Sequence, residues 1–176
     1  PLQCGSNAVL KLMHRHYDTQ LFADKMQRIK TLMPDAFIGV DVIVGTRGET
    51  DELFLEALNF MEKIDVSQYH VFSYSERPGT KALQIPYVVS AQQKHERSQQ
   101  VIALSQKKLR GFYDRFVGQV RPVLLEHSRT KGIMHGFTDN YIKVAVHTTE
   151  EMDNRIVNVR LGKWDDEEEL LIAELI

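Results

Sequence analysis

Asp41 is the only charge inside the apolar run Phe37-Ile38-Gly39-Val40-Asp41-Val42-Ile43-Val44. A run this short and this rich in Val and Ile reads as a strand covered on both faces, the habit of parallel sheets. Its carboxylate is then either paired internally or aimed at a ligand. Gly45 and Gly48 turn the chain, and Thr50-Asp51-Glu52 opens a helix with a capping hydroxyl and two acids at the positive end of the dipole. Strand, Gly-rich turn and helix N-terminus is where α/β folds bind ligands, because orphan amides and bare backbone face the crevice there. The same residues also suit a plain strand-to-helix turn. No Gly-Lys-Ser/Thr follows and no dinucleotide fingerprint is present, which excludes a Walker loop and the usual dinucleotide site.

Other reactive residue types are sparser. Phe72-Ser73-Tyr74-Ser75 ends a second strand in hydroxyls and aromatics, which either meet a ligand at the strand's carboxyl end or simply alternate. The seven histidines show no metal-ligand spacing; His14 and His16, two apart, fall on different faces of a helix. Cys4 is the sole cysteine, so an internal disulfide and a cysteine-only metal site are excluded, and no His or Asn beside it argues for a nucleophile. From Lys94 to Lys131 nine basic residues face three acids, whereas Asp165 to Glu169 is a solid acidic run. The basic tract is either a solvated face or a nucleic-acid contact; with Phe112, Tyr113, Phe137 and Tyr141 interleaved it offers both phosphate contact and base stacking.

The elements that must position these groups follow from periodicity. A helix starts at Ser6 or Asn7 with Val9, Leu10 and Met13 on one face. Asp18-Thr19 caps a second that Pro34-Asp35 stops. Leu53, Phe54, Ala57, Leu58, Met61 and Ile64 give the next helix its apolar stripe, and residues 68–75 form the next strand. Alternating helix and strand predict parallel pairing through right-handed crossovers. Two strands are few for these helices, so further strands are expected outside the segment. Ser90 caps a long helix to about Val117 with one basic face. After Gly118 five short strands are expected, at 120–126, 132–138, 141–147, 156–161 and 170–176, as a small antiparallel barrel. The domains expected are 1–117 and 118–176. No run spans a membrane and no signal peptide is visible, so a cytoplasmic protein is expected.

Pro1-Leu2-Gln3-Cys4-Gly5-Ser6, Met13-His14-Arg15-His16-Tyr17, the tract from Asp41 to Thr50 and the tract from Phe72 to Thr80 resemble, in order and spacing, successive motifs of the MiaB-like methylthiotransferases, which are radical-SAM enzymes. The strands after Gly118 resemble their TRAM domain, an RNA-binding module. Gly136-Phe137-Thr138-Asp139-Asn140-Tyr141-Ile142-Lys143-Val144 is most similar to the branch that methylthiolates threonylcarbamoyladenosine in tRNA. The resemblance implies an α/β chain: the C-terminal half of a radical-SAM partial (β/α) barrel followed by a five-stranded TRAM barrel. It implies S-adenosylmethionine bound by Gln3, Ser6 and Arg15 at its ribose or methionyl part, by Asp41, Ile43 and Gly45 at one strand end, and by Ser73 and Tyr74 at the next. The RNA-contacting residues expected are Arg77, Lys107, Arg110, Arg121, Lys131, Asn140, Tyr141 and Lys143.

Two departures accompany the resemblance. The cysteines for the two 4Fe-4S clusters of the family are absent, so the chain reads as an inactive fragment of a longer parent that ligates neither cluster. Cys4 and Thr46-Arg47 replace the family's usual Ser and Phe-Pro. The expected partner is tRNA, with no membrane or protein partner, and exposed sheet edges are expected to favour self-association. The alternatives are a non-catalytic RNA-binding protein with an α/β scaffold and a family member that modifies a ribosomal protein.

Overall fold

The computed structural model describes residues 1–128 and 131–176. The chain divides into two compact units, Pro1–Lys108 and Leu109–Ile176. The expected first segment ran to residue 117. Leu109, Phe112, Tyr113 and Phe116 are buried in the second unit instead, where Phe112 packs on Phe116 with ring centroids 5.1 Å apart.

The first unit is built from α1 (Asn7–Leu12), α2 (Thr19–Leu32), β1 (Gly39–Val44), α3 (Asp51–Lys63), β2 (Gln68–Ser73), a short 3-10 turn (Lys81–Gln84) and most of α4 (Ala91–Asp114). The caps are those the side chains favour. The Asp18 carboxylate accepts from the Leu21 amide at the start of α2, and the Thr50 hydroxyl from the Leu53 amide at the start of α3. Ser6 precedes α1 without capping it through its side chain. His14, at φ 55, is in the left-handed region just past α1.

β1 and β2 pair in parallel, with Asp41 opposite His70 and Val44 opposite Ser73. On the other side of β1, Gln3 forms a parallel bridge to Val42: its amide donates to Asp41 O at 3.0 Å, and its carbonyl accepts from the Ile43 amide at 2.8 Å. Val40, Val42 and Val44 share a core with Leu10, Phe54, Ala57, Met61 and Val101 from α1, α3 and α4. The expectation that this strand is covered on both faces is corrected: burial alternates along β1, and Asp41 lies exposed on the other face beside half-buried Ile43. The helices named all pack on the valine side, so a charge in the run needs no buried partner.

The second unit holds β3 (Val120–Leu125), β4 (Ile133–Thr138), β5 (Lys143–His147), β6 (Ile156–Asp165) and β7 (Leu170–Leu175), closed in the order β3-β4-β5-β7-β6. The wholly antiparallel barrel expected from the alternation is corrected: β5 and β7 run parallel. Parity requires it, since strand directions cannot alternate all the way round a ring of five. β6 reaches Asp165, beyond its expected end: after a register shift between Leu161 and Trp164 the strand goes on pairing with β7.

A Cβ on Gly136 would lie 2.3 Å from the Leu124 carbonyl oxygen of the neighbouring strand, whereas one on Gly111 in α4 would meet nothing within 4 Å. Gly136→Ala is therefore expected to destabilise the barrel by about 1–3 kcal/mol through overpacking. Gly111→Ala is expected to stabilise it by about 0.5–1 kcal/mol through helix propensity. Urea unfolding followed by the fluorescence of Trp164, the single tryptophan, measures both.

Candidate functional site

In the first unit, the carboxyl-terminal tips of β1 and β2 share one hollow of about 510 Å³, lined by Ile43, Phe72, Ser73, Tyr74, Arg77 and Thr80 among others. Ile43 and Phe72 are partners in the parallel register, so one apolar wall comes from both strands, and Phe72 is 54% exposed. The Ser73 hydroxyl bonds that of Ser98 on α4 at 2.8 Å. Lys94 Nζ donates to the Tyr74 carbonyl at 3.2 Å and sits 5.3 Å from the Tyr74 ring centroid. One guanidinium, several hydroxyls and aromatic surface suit a ligand with a planar ring and a polar, partly anionic end.

The remaining cofactor candidates do not line this hollow. Asp41 lies on the open sheet face, its carboxylate 3.1 Å from His70 Nδ1. Gln3 is buried in the bridge beside β1 at φ 68. Ser6 is buried and its hydroxyl donates to Glu56 at 2.9 Å. Arg15 lines a separate hollow of about 370 Å³ with Asn7, Lys11, His16, Tyr17 and Asp18. Gly45 has φ 77, and the space a Cβ would need there is filled by the Lys94 side chain.

Beneath the turn is an ion pair that sequence reasoning missed. The side chains of Arg97 and Glu49 are 4% and 1% exposed. Arg97 Nη1 donates to Glu49 Oε1 at 2.7 Å and to the Glu49 carbonyl at 2.9 Å, and Nη2 donates to Asp51 at 2.6 Å. Glu49 Oε1 also accepts from the Gly45 amide at 2.9 Å. Burial pushes the Glu49 carboxyl above its ordinary range, opposed by the Gly45 amide and by Arg97. Arg47 ties a second loop to the same turn. Its Nε donates to Glu76 at 2.6 Å, and its Nη1 to the carbonyls of Leu83 and Ile85 at 2.7 and 3.2 Å.

The RNA candidates fall in both units. In the first, Arg77 lines the strand-tip hollow, and Lys107 is exposed, 3.9 Å from Glu62. In the second, Arg110 donates to Asp166 at 2.8 Å and stands 5.8 Å from the centroid of the Trp164 ring. Arg121 lies 4.9 Å from the centroid of the Phe116 ring and 3.4 Å from Asp139. Lys131 is exposed and borders a hollow of about 350 Å³ with Ile133, Thr148 and Glu150. Asn140 accepts from the Thr138 hydroxyl, and Lys143 follows Ile142 at the start of β5. Phe112 and Tyr113, expected as base-stacking rings, are each only 4% exposed. Tyr113 instead accepts from the Lys143 amide and packs edge-on against Trp164.

No family model matches the chain. It is similar to the threonylcarbamoyladenosine tRNA methylthiotransferase MtaB of Bacillus subtilis, 38% identical over 167 residues, 93% of this chain and 37% of that protein. It is similar also to the tRNA-2-methylthio-N(6)-dimethylallyladenosine synthases of Aliarcobacter butzleri and Symbiobacterium thermophilum. These are 34% and 36% identical, over 92% and 97% of this chain and 37% of each of those proteins.

This chain belongs to the MiaB-like methylthiotransferases.

It spans little more than a third of the length of the curated relatives it matches. Of the three residues of this methylthiotransferase segment that depart from the expected motifs, Cys4, Thr46 and Arg47, two are structurally engaged. Arg47 makes the loop ties just described, and Cys4 packs in the core of the first unit. Among the described residues no cluster of three His, Cys, Asp or Glu side chains could hold a metal, so the donor set here does not fit an iron–sulfur cluster. No helix among them is long and apolar enough to cross a membrane.

Arg97→Leu strands the buried Glu49 carboxylate and is expected to cost about 3–5 kcal/mol of stability, while the double change Glu49→Leu/Arg97→Leu costs less because no charge is left unpaired. Urea unfolding followed by far-ultraviolet circular dichroism decides this. Burial pushes the Cys4 thiol up to about 12. At pH near 8 a chromogenic disulfide reagent is therefore expected to label it only once the protein is unfolded; prompt labelling of the native chain contradicts its placement.

Proposed function

We propose that this chain is the cofactor-facing and RNA-binding segment of a radical-SAM tRNA methylthiotransferase acting on threonylcarbamoyladenosine in the cytoplasm. The observation that carries the reading is the shared hollow at the parallel tips of β1 and β2, in a chain 38% identical to a tRNA methylthiotransferase of that specificity. In this reading the first unit is the C-terminal part of a radical-SAM partial barrel, and the second is its TRAM domain.

The residues present fit S-adenosylmethionine. Ile43 and Phe72 supply an apolar wall for a planar ring, and Ser73 and Tyr74 the hydroxyl-bearing rim. Asp41 presents its carboxylate on the same sheet face as Ile43. Gly45 begins the turn after β1 and Gln3 bridges β1 at Val42, while Ser6, bonded to Glu56, and Arg15, in a hollow of its own, are assigned to the cofactor by the resemblance. When bound, one cofactor molecule would supply a carbon radical, on receiving an electron from the parent enzyme's cluster, and a second would supply the methyl group. The chain's own contribution is to orient it and, with cations such as Lys107, Arg121, Lys131 and Lys143, to hold the RNA backbone. Among the described residues no side-chain cluster offers a ligand set for the iron–sulfur clusters of such an enzyme.

A graft tests the proposal. The segment replaces its aligned counterpart in the Bacillus subtilis relative, in cells lacking that enzyme, and tRNA nucleosides are read by mass spectrometry. Methylthiolated threonylcarbamoyladenosine is the expected product. Methylthiolation of dimethylallyladenosine alone moves the segment to the other branch, and its absence at both adenosines rejects the function. Asp41→Ala in the graft is expected to lower the yield of modified nucleoside about tenfold or more, in line with the loss of a positioning group.

A further inference from the structure

Phe137 on β4 and Tyr141 in the hairpin that leads to β5 stack on one another, with ring centroids 5.0 Å apart and planes inclined by 27°. Tyr141 is nevertheless 61% exposed, in contrast to Phe112 and Tyr113, which are buried in the same unit. A large aromatic ring turned outward gives up the burial that would otherwise stabilise it. Its backbone adds a further cost, since Tyr141 is a non-glycine residue at φ 68.

The surrounding bonds fix that conformation. The Tyr141 amide donates to the Thr138 carbonyl at 3.0 Å, and the Ile142 amide to the Thr138 hydroxyl at 2.8 Å. The Thr138 hydroxyl in turn donates to Asn140 Oδ1 at 2.7 Å. Thr138 and Ile142 are both buried, so the turn is anchored from below while the ring points out. Phe137 is the cross-strand partner of Lys143, so the two side chains share one face of the sheet. The acid of the same turn, Asp139, lies 3.4 Å from Arg121 Nη1 and is charge-compensated there.

We infer that Phe137 and Tyr141 form a platform on which an unpaired base of an RNA strand stacks, with Lys143 beside it for the adjoining phosphate. The inference rests on the RNA-binding reading above and deepens it: the contact is with a single-stranded, splayed base rather than with a duplex. Stacking of this kind accepts any base, because every base has a π face, so this contact contributes affinity without reading sequence.

The experiment uses the whole chain. Binding of fluorescently labelled oligoadenylate roughly eight nucleotides long, within the site size of a small barrel, is measured by anisotropy at several salt concentrations, beside a blunt RNA duplex of the same length. The wild-type chain is expected to prefer the single strand. Tyr141→Ala is expected to weaken that binding about tenfold with the salt dependence unchanged, and Tyr141→Phe to stay within about twofold, because stacking needs the ring and not the hydroxyl. Lys143→Gln is expected to lower the slope of log affinity against log salt by about 1, as removal of a phosphate contact does. If the wild-type chain binds and Tyr141→Ala binds equally well, the platform is overturned while the RNA reading stands. Equal affinity for duplex and single strand also overturns the platform. If the wild-type chain binds neither RNA in a salt-dependent way, both readings fail.

Discussion

Arg97 and Glu49 meet where water does not reach, and the geometry of the strand-tip hollow depends on their doing so. Two charges taken out of solvent are tolerated only when each finds partners in good geometry. Here the guanidinium serves the Glu49 carboxylate, the Glu49 carbonyl and Asp51, while the carboxylate also holds the Gly45 amide. One side chain of α4 thereby fastens the end of β1, the turn after it and the first residue of α3. Ser105, further along the same helix, exchanges hydrogen bonds with the backbone of Tyr69 in β2. Both strands are pinned to one helix, which keeps their tips side by side.

That anchoring leaves the opposite sheet face for chemistry. Because α1, α3 and α4 pack behind the valines, the face bearing Asp41, Ile43, His70 and Phe72 is not consumed by the core of the unit. The turn beyond β1 is held by charge: Arg47 reaches Glu76 and two carbonyls of the following loop. A guanidinium with three fixed acceptors stiffens a turn as a proline ring does, by a different route. Thr46-Arg47 is compatible with a rigid rim to the hollow for that reason.

Local signals made much of this visible in advance. The alternations from Val120 onward mark β3 to β7 closely, because a half-buried strand repeats every two residues. Asp18 and Thr50 announced their helices through capping, which is short-range chemistry. What escaped notice is set by distant partners. Glu49 and Arg97 are 48 residues apart, and each alone reads as an ordinary surface charge. Phe112 and Tyr113 lie between Arg110 and Arg115, so their types fit a nucleic-acid face as well as a core; only the packing against Phe116 and Trp164 decides between them. The residues that bind the hollow together and those that line it likewise carry no shared spacing, since Ser73 meets Ser98 and Tyr74 meets Lys94 across a crossover.

The barrel's odd strand count has a consequence for its biogenesis. β7, the latest strand in sequence, is inserted between β5 and β6. During translation the four earlier strands can assemble only as an open, curling sheet with two raw margins. The ring is sealed at both seams by one late event, when residues 170–175 have cleared the ribosome. Until then the nascent chain carries two unpaired borders that invite misassembly, and truncation before Leu170 would leave that state permanent.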